Sequence, residues 1–458
     1  MKVTLQYRSI LVTALVALGL ATCLSPELRA QNAPPTQATS DSNAPQATSS
    51  PAPDSSSSSQ GTLVASATPG PEQQSATPST PASSSTPAAD PNAAAVTPAA
   101  PMPLPSPSMT QPLSTAAPAH TFDGGPFGQL AITGIVSGMG FFQNNWVPGD
   151  KESHWDLSNA QAFLQKTTGW WQFYVQGGPY NIPDLGVPYL STNKSLSDLW
   201  GPVPVAYMKF VKGGFSVQVG ELPTLIGAEY TFDFENLNIE RGLLWNQESA
   251  ISKGIQVNEA YKKLTLSASW NDGFYSNRYT WITGSLAYAV NAANTISFVA
   301  GGNAGETKYT TFANPIQNNS SIYNIIYTYT KGSWYIQPYW QYTSVPTNKS
   351  IGITKGASTD GFAFLFNYNF KHGISLALRP EYISTNGTVA NGAVNLLYGP
   401  GSNAFSFTAT PTYQKGAFFA RADIGVVNAR TITSGDAFGT AGNNTKQTRG
   451  VIEAGFLF

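Results

Sequence analysis

Residues 362–370 read FAFLFNYNF, and every second side chain in this stretch is aromatic. The positions between them hold Ala, Leu and Asn, so one face is strongly apolar and the other is mixed. Side chains of a β-strand point alternately to opposite faces, whereas an amphipathic helix repeats about every 3.6 residues. The stretch therefore predicts an extended strand with one apolar face.

The same alternation recurs across residues 121–458. Further alternating segments lie at 171–176, 215–219, 264–271, 323–330 and 405–413. Their polar positions are mostly Ser, Thr, Asn and Gln. A secreted soluble β-sandwich, the alternative fold, would instead show an outer face rich in charge. An apolar face toward lipid and an uncharged polar face toward water predict an all-β, transmembrane antiparallel β-barrel.

The links between the candidate strands alternate in length. Counted from Leu130 there are about sixteen strands, with a range of about fourteen to eighteen. Short links fall near 166–169, 212–214, 261–263, 291–294, 331–333, 371–373 and 414–416. Long links fall near 143–157, 177–202, 222–254, 271–278, 301–320, 344–360, 384–402 and 427–449. Short turns on one rim and long loops on the other are typical of bacterial outer-membrane barrels. Both ends of the barrel are therefore expected on the short-turn, periplasmic side.

The chain ends in the strand-like stretch VIEAGFLF, residues 451–458. Its apolar positions alternate and include the last residue, Phe458. A closing strand that ends on Phe resembles the assembly signal of outer-membrane barrels. We therefore expect the barrel assembly machinery to recognise the chain through Phe458.

The N-terminal part has the composition of exported proteins. Residues 1–30 carry Lys2 and Arg8, then an apolar run, then a cleavage site at Ala30, which together predict a signal peptide. A lipoprotein signal at Cys23 is the alternative. Residues 31–120 are dominated by Pro, Ala, Ser and Thr, a composition too polar to form a core, and predict a disordered periplasmic tether.

Composition also excludes several classes of chemistry. A net charge of -1 gives no basic face for nucleic acid. The single cysteine, Cys23, leaves the mature chain without a disulfide or a thiolate metal site. His120, His154 and His372 fall in separate segments without nucleophile or metal-ligand spacing. We therefore expect no enzyme, no cofactor and no metal.

The longest link contains the segment PTLIGAEYTFDFENLNIERGLLWNQESAISKG, residues 223–254. Its Gly-Ala-Glu start, Asn-rich middle and Glu240-Arg241-Gly242 sequence resemble the OmpL-like β-barrel porin-2 family. The resemblance extends loosely over the barrel and implies an outer-membrane porin with no catalytic residues to transfer.

This link is the third long loop, the one that folds into the lumen of general porins. By analogy we expect it to narrow the pore, with charges on the loop facing charges on the wall. The loop residues of this predicted constriction are Glu229, Asp233, Glu235, Glu240, Arg241 and Glu248. The wall residues, each out of phase with apolar neighbours, are Lys209, Arg379, Glu381, Arg421 and Asp423. Two alternatives are a wide lumen lined by these charges, and a loop held in place by Glu240 and Arg241.

The predicted function is passive diffusion of small hydrophilic solutes and ions across the outer membrane. The alternative is a plugged structural or binding barrel that anchors the envelope through its tether. The expected partners are outer-membrane lipid, small hydrophilic solutes and, in a homotrimer, two further copies of the chain. Tyr174, Tyr335 and Tyr339 share the inward phase and predict either an aromatic track for sugars or packing near a rim.

Overall fold

The computed structural model describes residues 109, 112–115, 119–308 and 315–458. The predicted signal peptide, residues 1–30, and most of the predicted tether, residues 31–120, lie outside these residues. No helix in the described parts of the chain is long and apolar enough to cross a membrane.

Seventeen strands in the described residues form one sheet. They are β1 His120–Asp123, β2 Gln129–Gln143, β3 Ser153–Lys166, β4 Trp171–Gly177, β5 Val205–Lys212, β6 Phe215–Pro223, β7 Ile251–Tyr261, β8 Leu264–Asn271, β9 Trp281–Asn291, β10 Asn294–Asn303, β11 Ser321–Lys331, β12 Trp334–Val345, β13 Ala357–Asn369, β14 Ile374–Thr385, β15 Asn403–Lys415, β16 Phe418–Arg430 and β17 Lys446–Leu457. Two short helices, α1 Thr192–Asp198 and α2 Pro315–Asn318, lie in the second and fifth long loops.

The sheet closes on itself into a barrel. Each strand from β2 to β17 pairs antiparallel with the next along the chain, and β17 pairs with β2. The predicted count of sixteen barrel strands is therefore confirmed. Phe458 completes the closure, because its backbone N–H and C=O bond Gly134 at 2.9 and 2.6 Å. Strand β1 pairs with residues 129–132 of β2, beyond the end of β17.

Side chains alternate between the outside of the barrel and its lumen, as the sequence predicts. In β13, Phe362 is 48% exposed on the outside while its neighbour Ala363 is fully buried. Three of the short turns contain Gly213, Gly332 or Gly416 at φ angles of 59 to 63°. Hairpins this tight need positive φ, which glycine adopts without steric cost. The local sequence thus determines both which face of the barrel each side chain takes and the tight turns of the short-turn rim.

The third long loop, residues 224–250, lies inside the barrel, and we call it the luminal loop. All residues from 231 to 245 are buried. Its apolar side chains pack on inward wall residues, as when the ring of Phe234 lies 5.5 Å from the ring of Phe163. Ile239 forms a further cluster with Phe141 and Val451. The lumen therefore contains a packed core of its own in addition to polar surface.

A short segment that precedes the barrel also contacts its inner face. Leu113 is only 2% exposed and belongs to an apolar cluster that includes the inward residues Phe419 and Leu457. The backbone N–H and C=O of Ser114 bond the side chain of Gln414 at 2.9 and 2.7 Å. Residues 112–115, at the C-terminal end of the predicted tether, are therefore docked near the short-turn rim.

Candidate functional site: the lumen and its loop

Three strands within one arc of four carry inward-pointing charges at positions that alternate with apolar outward residues. Ile424 and Ile452, for example, are 60% and 47% exposed on the outside. We call the inward set the charged wall, and it consists of Arg379 and Glu381 on β14, Arg421 and Asp423 on β16, and Arg449 and Glu453 on β17. All six side chains are buried. They are buried because the luminal loop covers them.

Arg379 links the charged wall to the luminal loop. Its Nη1 lies 2.5 Å from Oε1 of Glu229, and its Nε lies 3.3 Å from Oε2 of Glu381. Its Nη1 also donates to the backbone oxygen of Glu240 at 2.6 Å. Glu381 in turn accepts from the backbone N–H of Leu243 at 3.1 Å. One guanidinium group thus compensates a loop acid and a wall acid together.

Arg421 forms a second link of the same kind. Its Nη2 lies 2.8 Å from Oε2 of Glu453 on the wall and 3.5 Å from Oδ2 of Asp233 on the luminal loop. Asn159 on β3 donates to the other oxygen of Asp233 at 2.8 Å. Burial, with the Glu453 carboxylate nearby, raises the pKa of Asp233 to about 8 even though Arg421 lowers it. In the docked loop, burial and Glu453 therefore favour the protonated form of Asp233, while Arg421 favours the charged form.

A third group of contacts joins the second long loop to the luminal loop. Arg449 Nη1 lies 3.1 Å from Glu240 Oε1, and the same nitrogen donates to the backbone oxygen of Asp184 at 2.5 Å. Arg241 Nε lies 2.8 Å from Asp184 Oδ1. Asp423 accepts from the backbone N–H of Glu240 at 2.8 Å. Both loops are therefore tied to one another and to the same wall.

The remaining predicted site residues lie apart from these ion pairs. Glu248 is buried, and neither of its carboxylate oxygens has a hydrogen-bond partner among the described residues. Burial raises the pKa of Glu248 well above its usual range. Glu235 accepts from the backbone N–H of Phe232 at 3.3 Å, and burial raises its pKa to about 8. Lys209 has the predicted inward phase on β5, but β5 lies almost opposite β14 in the barrel.

A cavity of about 300 Å³ occupies the lumen beside the luminal loop. We call it the tyrosine cavity, and define it by Tyr174, Gln176, Tyr207, Tyr230, Glu235 and Gln337. Tyr174 on β4 and Gln337 on β12 belong to strands eight places apart in the sixteen-strand barrel, and therefore to opposite walls. The cavity thus spans the lumen from wall to wall.

Metal chemistry finds no support in the part of the chain that the structure describes. No three His, Cys, Asp or Glu side chains there are arranged to hold a metal ion. Most acids of the lumen are compensated by arginine, amide or backbone donors, the usual arrangement for buried carboxylates, with Glu248 an exception.

The sequence and fold agree with one family of known proteins. The family described as "Putative beta-barrel porin-2, OmpL-like" matches residues 129–458. The chain belongs to this porin family. Its match covers the whole closed barrel and begins at the first residue of β2. The predicted resemblance is therefore confirmed, and the porin fold and outer-membrane class follow from it.

Solved structures share the fold at low sequence identity. An anion-selective porin from Comamonas acidovorans superposes with a TM-score of 0.51 at 11% identity, covering 72% of this porin and 99% of that chain. The outer membrane channel DcaP of Acinetobacter baumannii gives 0.50 at 9% identity, covering 72% and 97%. No curated protein matches this porin in sequence. The neighbours therefore establish architecture alone.

Three residues of the porin's charge network were not predicted. Glu453 could have been found, because it alternates with Ile452 in the closing strand exactly as Arg421 does in its own. Arg449 was assigned to the long link 427–449, whereas β17 begins at Lys446 and places Arg449 inside the strand. Asp184 lies in an irregular loop, where no periodic pattern indicates the direction of its side chain.

Proposed function

We propose that this porin is a passive channel for small hydrophilic solutes and ions, with the open path on the tyrosine-cavity side of the lumen. The observation that carries the proposal is that the ion pairs between the luminal loop and the wall all fall on one arc of the barrel. Arg379, Arg421 and Arg449 tie the loop region to β14, β16 and β17. The tyrosine cavity lies between the loop and residues of β4, β5 and β12.

We propose further that the luminal loop narrows the lumen chiefly by its bulk. The acids Glu229, Asp233 and Glu240 are buried against arginine partners, which supports a role in holding the loop rather than in facing the solute. Buried ion pairs position a segment well, because removing either partner leaves an uncompensated charge. Lys209, on the uncovered wall, is the predicted constriction residue best placed to act on passing ions.

Other parts of the proposal concern location and partners. Outer-membrane lipid would surround the apolar outer face, the tether of residues 31–120 would lie in the periplasm, and Phe458 would engage the assembly machinery. A homotrimer is the proposed assembly. A channel is favoured over an enzyme because His120 and His372 are exposed at the short-turn side while His154 bonds Asp150 at 2.7 Å among the long loops.

A plugged binding barrel is the second candidate function. It is favoured by the complete burial of residues 231–245 and by the docking of Leu113 on the inner face. A barrel of this kind would hold its loop permanently and pass no steady current.

Planar-bilayer recording of the full mature chain separates the two functions. The channel predicts steady, ohmic current steps from the wild-type porin, and larger steps when residues 231–245 are replaced by a short Gly/Ser linker. The plugged barrel predicts current only from the linker variant. Heat-dependent migration on a denaturing gel would confirm that both proteins form a folded barrel.

A further inference from the structure

We propose that the tyrosine cavity is a binding subsite for a neutral, hydroxyl-rich solute, a sugar or a polyol, which pauses there on its way through the pore. This inference rests on the proposed channel and specifies what the channel prefers to carry. It is argued from the lining side chains, from their charge, and from the place of the cavity in the lumen.

The polar groups of the cavity match hydroxyl groups in their hydrogen-bonding capacity. The hydroxyls of Tyr174, Tyr207 and Tyr230 and the amides of Gln176 and Gln337 can both donate and accept. A subsite built for an anion would present donors only, and one built for a metal cation would present acceptors only. A sugar hydroxyl is itself both donor and acceptor, so it can pair with any of these groups.

The aromatic rings supply apolar surface for the C–H faces of a sugar ring. The side chain of Tyr230 is 37% exposed, although the loop residues that follow it are buried. Tyr207 is half-buried, and its ring centroid lies 5.7 Å from that of Tyr174. Aromatic side chains combine apolar area with a polar tip, which suits a solute that has both characters.

The charge of the cavity argues against ionic solutes. Among the described residues, the cavity is lined by no Lys or Arg and by two acids, Glu229 and Glu235. Glu229 is already compensated by Arg379 at 2.5 Å. Glu235 is buried, and this burial raises its pKa to about 8, which favours the neutral carboxyl. The subsite is thus close to neutral, and a protonated carboxyl adds one more group that both donates and accepts.

The size and position of the cavity fit a transport subsite. Its volume of about 300 Å³ is that of about ten water molecules, at the lower end of ligand pockets. Because it extends from the wall of β4 and β5 to the wall of β12, a solute that passes the luminal loop on this side must cross it. Binding there would slow ions while the solute is present.

Current block in planar bilayers tests the inference on the full mature porin. Glucose and sucrose are the neutral probes, putrescine is the organic cation and succinate is the anion. We expect the sugars to reduce the ion current in a saturable way and the two charged probes to block far less. Tyr230→Ala should raise the half-blocking sugar concentration about tenfold, since it removes the most exposed ring. Tyr288→Ala, the same truncation on the outward face of β9, should leave block unchanged.

The outcomes distinguish this inference from the proposed function. A conducting channel that no sugar blocks would overturn the sugar subsite and leave the channel standing. Stronger block by putrescine than by sugar would also overturn it, and would indicate a cation site. If the porin conducts no current, the channel itself fails. Sugar-dependent tyrosine and tryptophan fluorescence of the detergent-solubilised protein, compared with Tyr230→Ala, then decides binding alone: saturable quenching lost in the variant supports the subsite, and its absence refutes it.

Discussion

Two regions of the lumen accommodate their polar side chains in different ways. The charged wall on β14, β16 and β17 is covered by the luminal loop, which excludes water from its side chains. Around the tyrosine cavity, the residues that β4, β5 and β12 contribute are chiefly tyrosines and glutamines, and the space beside them stays open. Both sides are polar by composition, so polarity alone does not indicate which side carries solute.

The difference shows what strong charges do inside a barrel. A buried carboxylate is costly without a partner, and the loop acids Glu229, Asp233 and Glu240 each meet an arginine at a fixed place. Tyr and Gln side chains tolerate either water or a solute as a partner and therefore suit a surface that must exchange contacts. We infer that the charged wall fixes the position of the loop and that the tyrosine cavity contacts the transported solute.

Breaking the main tie on the charged side should have the largest effect. Arg379→Met keeps an extended side chain but leaves Glu229 and Glu381 buried without their shared cation, a change that typically costs about 3–5 kcal/mol. We expect the luminal loop to leave the wall at pH 8, with larger single-channel conductance and faster protease cleavage of the loop. Lys371→Met, in an exposed short turn, is the matched control and should change neither. Unaltered conductance in a folded Arg379→Met barrel would contradict the anchoring role.

The docked segment before the barrel should have the next largest effect. Leu113→Asp places a charge in the apolar cluster with Phe419 and Leu457, where it cannot be solvated. We expect the segment to detach and the conductance to rise. Ser114→Asp is the control, because the side chain of Ser114 is exposed and its bonds to Gln414 come from the backbone. Equal conductance of the two variants would show that the segment does not obstruct the mouth.

The pH dependence of the conductance should be a smaller effect and should arise where the luminal loop meets the charged wall. Burial raises the pKa of Glu240 from 4.5 to about 7, despite the nearby Arg449. The docked loop therefore binds a proton that a released loop gives up, so docking is favoured as pH falls from about 7 to 4.5 and levels off below. We expect conductance to decrease over that interval. Glu240→Gln should reduce the decrease, and a conductance that rises on acidification would reverse the assigned sign.

The smallest effect is expected on the open side. Lys209→Gln removes an inward cation that forms no ion pair among the described residues, so folding and conductance should stay near wild type. The reversal potential in a salt gradient should shift slightly toward cations, because a positive charge beside the path repels them. Lys212→Gln, at the exposed turn end of the same strand, should shift it less. An equal shift in both variants would remove Lys209 from the pore lining.

The sequence predicted which way the wall side chains point better than it predicted which residues they contact. Phase alone placed Arg379, Arg421 and Lys209 in the lumen, and the structure agrees for all three. It could not tell that the arginines meet the luminal loop while Lys209 does not. Glu229 and Arg379 are 150 residues apart, and their contact depends on which wall the loop approaches. No local pattern carries that information.

The tyrosines show the same limit. Tyr174, Tyr335 and Tyr339 all have the inward phase expected of an aromatic track, yet among these three only Tyr174 lines the cavity. Tyr339 is 1% exposed, in the apolar cluster that includes Leu243 and Leu244 of the luminal loop. Tyr207 and Tyr230, rather than Tyr335 and Tyr339, line the cavity together with Tyr174.

The amino-acid sequence by itself determined the strand faces, a count of about sixteen strands, the alternation of short and long links and the closing strand that ends on Phe458. These features repeat over a few residues, because strand geometry and tight-turn sterics act between near neighbours. Only the tertiary structure decided where the luminal loop docks, which charged side chains become buried and which inward tyrosines remain accessible. Those properties depend on compensating buried charge between segments far apart in the chain, and that compensation exists only once the barrel has closed.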